Sequence, residues 1–149
     1  MRALIQRVSS AQVAVAGAVI ASIGRGLLVF VALAKDDTAA DGEWLARKLL
    51  SARLFEDEEG KMGRSVEDIQ GALLIVSQFT LYGEMRKGAR PDFSQSMAGP
   101  QAKEFYEAWL SRLKQACPLQ IEAGQFAAKM AVQLVNDGPV TILLDSQRH

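Results

Sequence analysis

The sequence predicts a single α+β domain in which a mostly antiparallel or mixed sheet carries two main helices, and three observations support this. Val13, Val15, Val19 and Ile23 recur at even spacing, the period of a half-buried strand, while LLVFVALA (27–34) is a continuous apolar run of the kind buried on both faces. Two other segments, 41–54 and 100–116, space their apolar residues by three and four, the period of a helix packed on one side. Their order along the chain, ββ(β)–α–β–loop–α–ββ, fits two helices laid on one sheet.

Residues 2–8 and 12–23 read as strands, with Ala16-Gly17-Ala18 turning a hairpin. Gly24-Arg25-Gly26 lacks the third glycine and the acidic follow-up of a dinucleotide fingerprint and reads as a turn into the strand 27–34. In the helix 41–54, Leu45, Leu49 and Ala52 line one face, flanked by Leu50 and Leu54, and Arg47, Lys48 and Arg53 point outward. Thr38 or Asp41 is its expected N-cap. An acidic turn (Glu56 to Gly60) and a short segment (Ser65 to Gln70) lead to a buried strand over GALLIVSQFTLY, 71–82. The loop from Gly83 to Ala98 holds Arg86, Lys87, Arg90, Pro91, Asp92 and Phe93; a loop of that length is expected to be functional or mobile. The second helix runs from Pro100 to Ala116, with Phe105, Trp109 and Leu113 as its buried stripe and Pro118 beyond its end. Strands return at 119–123 and 128–145, where Met130, Val132 and Leu134 alternate with Lys129, Ala131 and Gln133. Within the last strand segment, NDGPVT (136–141) reads as a hairpin turn, yet Pro139 stands where a returning strand needs its N–H.

At 149 residues, 49% hydrophobic and 23% charged, the chain fits one globular domain over 1–149. Seventeen basic and seventeen acidic residues argue against a protein that coats nucleic acid or anionic membrane by bulk charge. The apolar run at 27–34 is far short of the roughly 20 residues of a membrane span, and MRALIQRVSS lacks a signal peptide's apolar block, so a cytoplasmic protein with no membrane partner is expected. The single cysteine, Cys117, reads as a core thiol. The only histidine, His149, is the last residue, which sets aside a Ser-His-Asp triad, a Cys-His pair and a histidine-rich zinc site. No metal and no cofactor are expected.

Two stretches stand out once the core is subtracted. In Ser77-Gln78-Phe79-Thr80-Leu81, polar side chains interrupt an apolar strand. Either this is a strand end with satisfied hydroxyls, or the amides of Phe79 and Thr80 face a developing oxyanion, with the Thr80 hydroxyl nearby to hold water or to attack. In NDGPVT, a trans Gly138-Pro139 bond would be an ordinary turn. A cis bond would present the flanking carbonyls on one side as a rigid edge.

SQFTL (77–81), KGARPDF (87–93) and GQFAAKM…LVNDGPVT (124–141), with the opening MRALIQRVSSAQVAV, resemble the signature segments of the D-aminoacyl-tRNA deacylases, of the D-Tyr-tRNA deacylase type. The resemblance implies a barrel-like sheet and a homodimer. The Gly138-Pro139 edge of one subunit, in cis, would enter the other's pocket, where Ser77, Gln78, Phe79 and Thr80 carry the catalytic site. Phe126 and Met130 would lie near the terminal adenosine of the tRNA, Arg7 would hold the Gly-Pro carbonyls, and Arg86, Lys87 and Arg90 would meet phosphates. It further implies hydrolysis of D-aminoacyl-tRNA, with L-aminoacyl-tRNA refused by the edge and glycyl-tRNA also accepted. The alternatives are a non-catalytic tRNA-binding or dimerisation module of the same fold, and an editing hydrolase that removes a mischarged L-amino acid or acts on another acylated RNA. The tail 145–149 has no assigned role.

Overall fold

A computed structural model, describing residues 1–86 and 88–147, shows one strand organising the sheet. Where two strands were expected up to Ala16, β1 (Arg2–Val15) runs unbroken, and the chain turns at Ala16 and Gly17, both at positive φ, into β2 (Ala18–Ile23). The first half of β1 pairs antiparallel with β3 (Gly26–Ala32), from Arg2↔Ala32 to Val8↔Gly26, and its second half pairs with β2. Its other edge pairs along its length with β8 (Met130–Asp145). β3 continues in parallel to β6 (Ala72–Ser77), and β6 to β7 (Ile121–Ala123), so the order is β2-β1-β3-β6-β7 with β8 added on β1. The result is the expected α+β domain with a nearly closed, barrel-like mixed sheet. Between these strands a small hairpin, β4 (Phe55–Glu56) and β5 (Met62–Arg64), frames the acidic turn.

The continuous apolar runs follow from burial on both faces of the sheet. Leu27, Val29, Val31, Leu73 and Ile75 join the core under the helices, while Leu28, Leu74 and Val76 fill the other face with Val8 and Val13. Ala3 and Ile5 of β1 belong to the first core and Ala11 and Val13 to the second; irregular pairing with β8 between Val8 and Ser10 lies where the strand changes allegiance. Gly26 opens β3 because a Cβ there would sit 1.9 Å from the Ala72 carbonyl oxygen on β6.

α1 (Ala39–Ser51) starts earlier and ends earlier than the 41–54 expected. Thr38 is the N-cap, and Asp41 Oδ2 accepts hydrogen bonds from its amide (2.9 Å) and hydroxyl (2.8 Å). α2 (Gly99–Ala116) carries Pro100 in its first turn, but its buried face is Ala102, Tyr106, Trp109 and Leu113; Phe105, expected on the stripe, is half-buried at its margin. The two helices meet where Trp109 Nε1 donates to the Gly42 carbonyl at 2.9 Å, and a Cβ on Gly42 would lie 2.9 Å from the indole Cδ1. Cys117 is buried in the same core, as expected of a structural thiol. Among the described residues no helix is long and apolar enough to cross a membrane.

Candidate functional site

β6 stops at Ser77 instead of running on to Tyr82, because β3 supplies no further partner: Ser77 pairs with Val31, and the Gln78 amide donates to the Val31 carbonyl at 2.7 Å. The chain then winds into a 3-10 turn, Phe79–Tyr82. Leu81 N–H donates to the Gln78 carbonyl and Gly83 N–H to that of Thr80. The amides of Phe79 and Thr80, at the start of the turn, have no backbone acceptor among the described contacts, as the geometry of a helix start requires. Both residues are exposed, Phe79 by 58%. The Gln78 side-chain amide donates to Thr80 Oγ1, and the Phe79 ring meets Phe93 edge-on at 5.0 Å between centroids. Ser96 Oγ donates to the Phe79 carbonyl at 3.2 Å. Among the described residues the hydrogen-bond partner of the Thr80 hydroxyl is the Gln78 amide, which is not a base.

NDGPVT is not a hairpin turn. The chain stays in β8 on both sides, pairing Asn136 with Val8 and Thr141 with Gln6, and residues 137–140 form a bulge opposite Arg7, with Val140 buried in the core. The Gly138-Pro139 peptide is cis, and both residues are exposed. Arg7, only 6% exposed, fixes the base of the bulge. Its Nε donates to the Asp137 carbonyl at 2.9 Å and lies 3.2 Å from the Asp137 carboxylate, while Nη1 donates to the Leu54 carbonyl at 2.7 Å. From the other side Asn136 Nδ2 donates to the Arg7 carbonyl (2.9 Å) and the Val140 carbonyl (3.2 Å). Arg7 therefore holds the carbonyl next to the edge through Asp137. Asn136 shares that task, which sequence reasoning missed; its amide beside Asp-Gly-Pro was the available signal.

Within one chain no described hydrogen bond joins the two stretches. Gly138 lies level with Arg7, which pairs with Leu27 of β3, while Ser77 pairs with Val31. Three strand spacings and four residues of rise separate them, about 20 Å along the sheet. Phe126 is half-buried against Tyr106 of α2, with ring centroids 5.5 Å apart. Met130, also half-buried, begins β8 beside Gly124, where a Cβ would lie 2.6 Å from its sulfur. Both pack against the core, and no described contact brings either to residues 77–80.

Several described residues of the long loop are tied to their neighbours. Glu84 and Asp92 exchange backbone hydrogen bonds of 2.8 and 2.9 Å, and Lys35 N–H donates to Gln95 O and Met97 N–H to Leu33 O. Arg86 Nε lies 3.1 Å from the Glu84 carboxylate and Arg90 is exposed; Lys87 and His149 lie outside the described residues. Phe93, from the KGARPDF segment, and Ser96 are the described loop residues whose contacts reach the SQFTL turn.

A family model described as D-Tyr-tRNA(Tyr) deacylase matches residues 4–145. Curated relatives include a D-aminoacyl-tRNA deacylase of Thermotoga petrophila, 53% identical over 99% of each chain, and one of Petrotoga mobilis, 49% identical over the same shares. Among solved structures, the c-Myc DNA Unwinding Element Binding Protein superposes with a TM-score of 0.93 at 44% identity, covering 97% of this chain and 98% of that one. A probable eukaryotic D-amino acid tRNA deacylase, 18% identical, shares the fold with a TM-score of 0.84 over 96% of this chain and 97% of its own.

Proposed function

This chain belongs to the D-Tyr-tRNA(Tyr) deacylase family, and from that premise we propose that it hydrolyses the ester of D-aminoacyl-tRNA in the cytoplasm, at a site built on the SQFTL turn. The observation that carries the proposal at this site is the pair of amides, Phe79 and Thr80, left without backbone acceptors at an exposed helix start.

Water adds to the ester carbon, the tetrahedral oxyanion is met by the two amides, and the bond to the 3′-terminal ribose oxygen breaks. That oxygen takes the proton given up by the attacking water, and free tRNA and the D-amino acid leave. An aminoacyl ester is already activated, so a few kcal/mol of oxyanion stabilisation suffices for a useful rate; one such donor is worth about 2.7–4 kcal/mol. Gln78 and Thr80 orient water, in keeping with an amide rather than a base as the described partner of the Thr80 hydroxyl, and Ser77 closes the pocket at the strand end. Phe126 and Met130 flank the terminal adenosine.

Selectivity comes from the Gly138-Pro139 edge of a second subunit. The separation of about 20 Å along the sheet between this edge and residues 77–80 favours delivery by a partner chain. Exposed Val135, Ile142 and Leu143 on the same strand suit a homodimer interface. With the amino group and carbonyl of the substrate held, an L side chain strikes the edge while a D side chain points to solvent. Glycine has no side chain to strike, so glycyl-tRNA is cleaved.

Purified protein with matched D- and L-tyrosyl-tRNA and with glycyl-tRNA tests this, scored as loss of ester. Inertness toward glycyl-tRNA under conditions that cleave the D substrate sinks the steric account. The second reading, a nucleic-acid-binding or dimerisation module without catalysis, draws on the name of the 44% identical DNA-unwinding-element-binding protein. It prevails if no D-selective hydrolysis exceeds the uncatalysed rate.

A further inference from the structure

Between α1 and α2 runs a cleft of about 360 Å³ that shares no residue with the candidate reaction site. Its origin is visible in the sequence of the two helices. They touch through Trp109 and Gly42, but the residues that face the gap beside that contact are Ala39 and Ala46 on one helix and Ala108 and Ala116 on the other. Side chains this short leave open the space that a leucine or methionine would fill in a close-packed interior. The floor is aromatic and apolar, with Phe105, Trp109 and Leu113. This accounts for Phe105 lying at the margin of the α2 stripe rather than in the core. The volume falls within the range of about 300–1,000 Å³ typical of small-molecule sites.

The charges at the rim choose the ligand. Arg47 of α1 and Arg112 of α2 both line the cleft, and neither guanidinium has an ion-pair or hydrogen-bond partner among the described residues. Glu43 is the one acid in the lining; it stands one turn before Arg47, at the spacing where helix ion pairs form, yet does not pair with it. Two unpaired guanidiniums over an apolar floor, against one carboxylate, complement a molecule with a single anionic head and an apolar body.

We propose that the α1–α2 cleft is a binding site for a small amphipathic anion, an aromatic or medium-chain carboxylate or sulfonate, with its body on Trp109 and Phe105 and its head between Arg47 and Arg112. The site stands independently of the deacylase reading.

The test uses anilinonaphthalene sulfonate as the probe, titrated into the native protein and followed by its emission. Saturable one-site binding is expected, displaced by decanoate and not by decyltrimethylammonium. Ala46→Trp, which fills the cleft, abolishes it. Arg47→Glu and Arg112→Glu, on the exposed rim and thus safe for folding, each weaken binding by about tenfold or more, the worth of one charge-assisted hydrogen bond. Both leave D-tyrosyl-tRNA hydrolysis unchanged. The proposal is overturned by an absence of saturable binding, by equal displacement with the cationic detergent, or by full binding in both arginine variants. It is also overturned if those variants raise KM for the tRNA substrate while probe binding is intact, which would assign the arginines to RNA.

Discussion

Phe79→Pro removes one backbone N–H from the start of the 3-10 turn and is the sharpest test of catalysis by amides. The position tolerates proline: Phe79 is the first residue of the turn, and Gln78 before it has φ −146° and ψ 76°, outside the helical region that a following proline disfavours. Phe79 is 58% exposed, so the chief packing loss is its edge contact with Phe93, worth about 0.5–1.5 kcal/mol. That corresponds to a fall in Tm of about 2–6 °C. Phe79→Ala loses the same contact and keeps the amide, so the ratio of the two variants isolates the donor. Removing one oxyanion donor costs about 2.7–4 kcal/mol, or 10²–10³ in rate. Single-turnover hydrolysis of D-tyrosyl-tRNA should therefore be about a hundredfold slower or worse in Phe79→Pro than in Phe79→Ala, with Tm values alike. Two folded variants with rates within about threefold of each other would refute the role of the Phe79 amide.

Arg7→Lys keeps the charge but not the fork that reaches both Asp137 and Leu54 carbonyls; we expect a loss of about 2 kcal/mol by urea unfolding and a narrower D/L rate ratio. Unchanged stability would show that Arg7 does not hold the bulge. Gly26→Ala drives a methyl into the Ala72 carbonyl and should cost about 3 kcal/mol or more, read as lost soluble yield or a lowered urea midpoint. Burial pushes the Asp41 carboxyl upward, but hydrogen bonds from Ser146 and from the Thr38 amide and hydroxyl outweigh it, lowering the pKa from 3.8 to about 2. A depressed pKa contributes stability above the unfolded value that is lost as pH falls. The advantage of the native chain over Asp41→Asn, measured by urea unfolding, should thus be full at neutral pH and close between pH 3.8 and about 2.

Helices and buried strands were legible because their periods are set by burial. Leu45 and Leu49 mark α1, and the runs at 27–34 and 72–77 are apolar throughout because helices cover one face and the inside of the sheet the other. Two misreadings have one cause, that pairing depends on distant partners. Phe79, Leu81 and Tyr82 look like a strand continuing, but β3 ends and the chain coils into a turn. Asp137-Gly138 looks like a hairpin, but β1 lies alongside on both flanks, and Arg7 and Asn136 hold the excess residues as a bulge. On α2, spacings through Phe105 and through Tyr106 both converge on Trp109 and Leu113, so periodicity alone leaves the phase open by one residue. Of the candidate site, the interrupted strand at SQFTL and the Gly138-Pro139 edge were readable as motifs. Their separation along the sheet was not, since it depends on strand order.

The pairing of β1 with β8 also sets a timetable for the chain. Arg2 and Asp145 are neighbours in that ladder although 143 residues apart, so the longest seam of the sheet joins the first strand to the last. Such closure is slow, because the entropy of a very long loop must be overcome before any of its contacts form. During synthesis or refolding, β1 can zip to β2 and β3 at once, while its other edge waits with backbone donors and acceptors open. A molecule at that stage carries a long unpaired strand edge, and its fate then depends on concentration: β8 of its own chain competes with the strands of its neighbours.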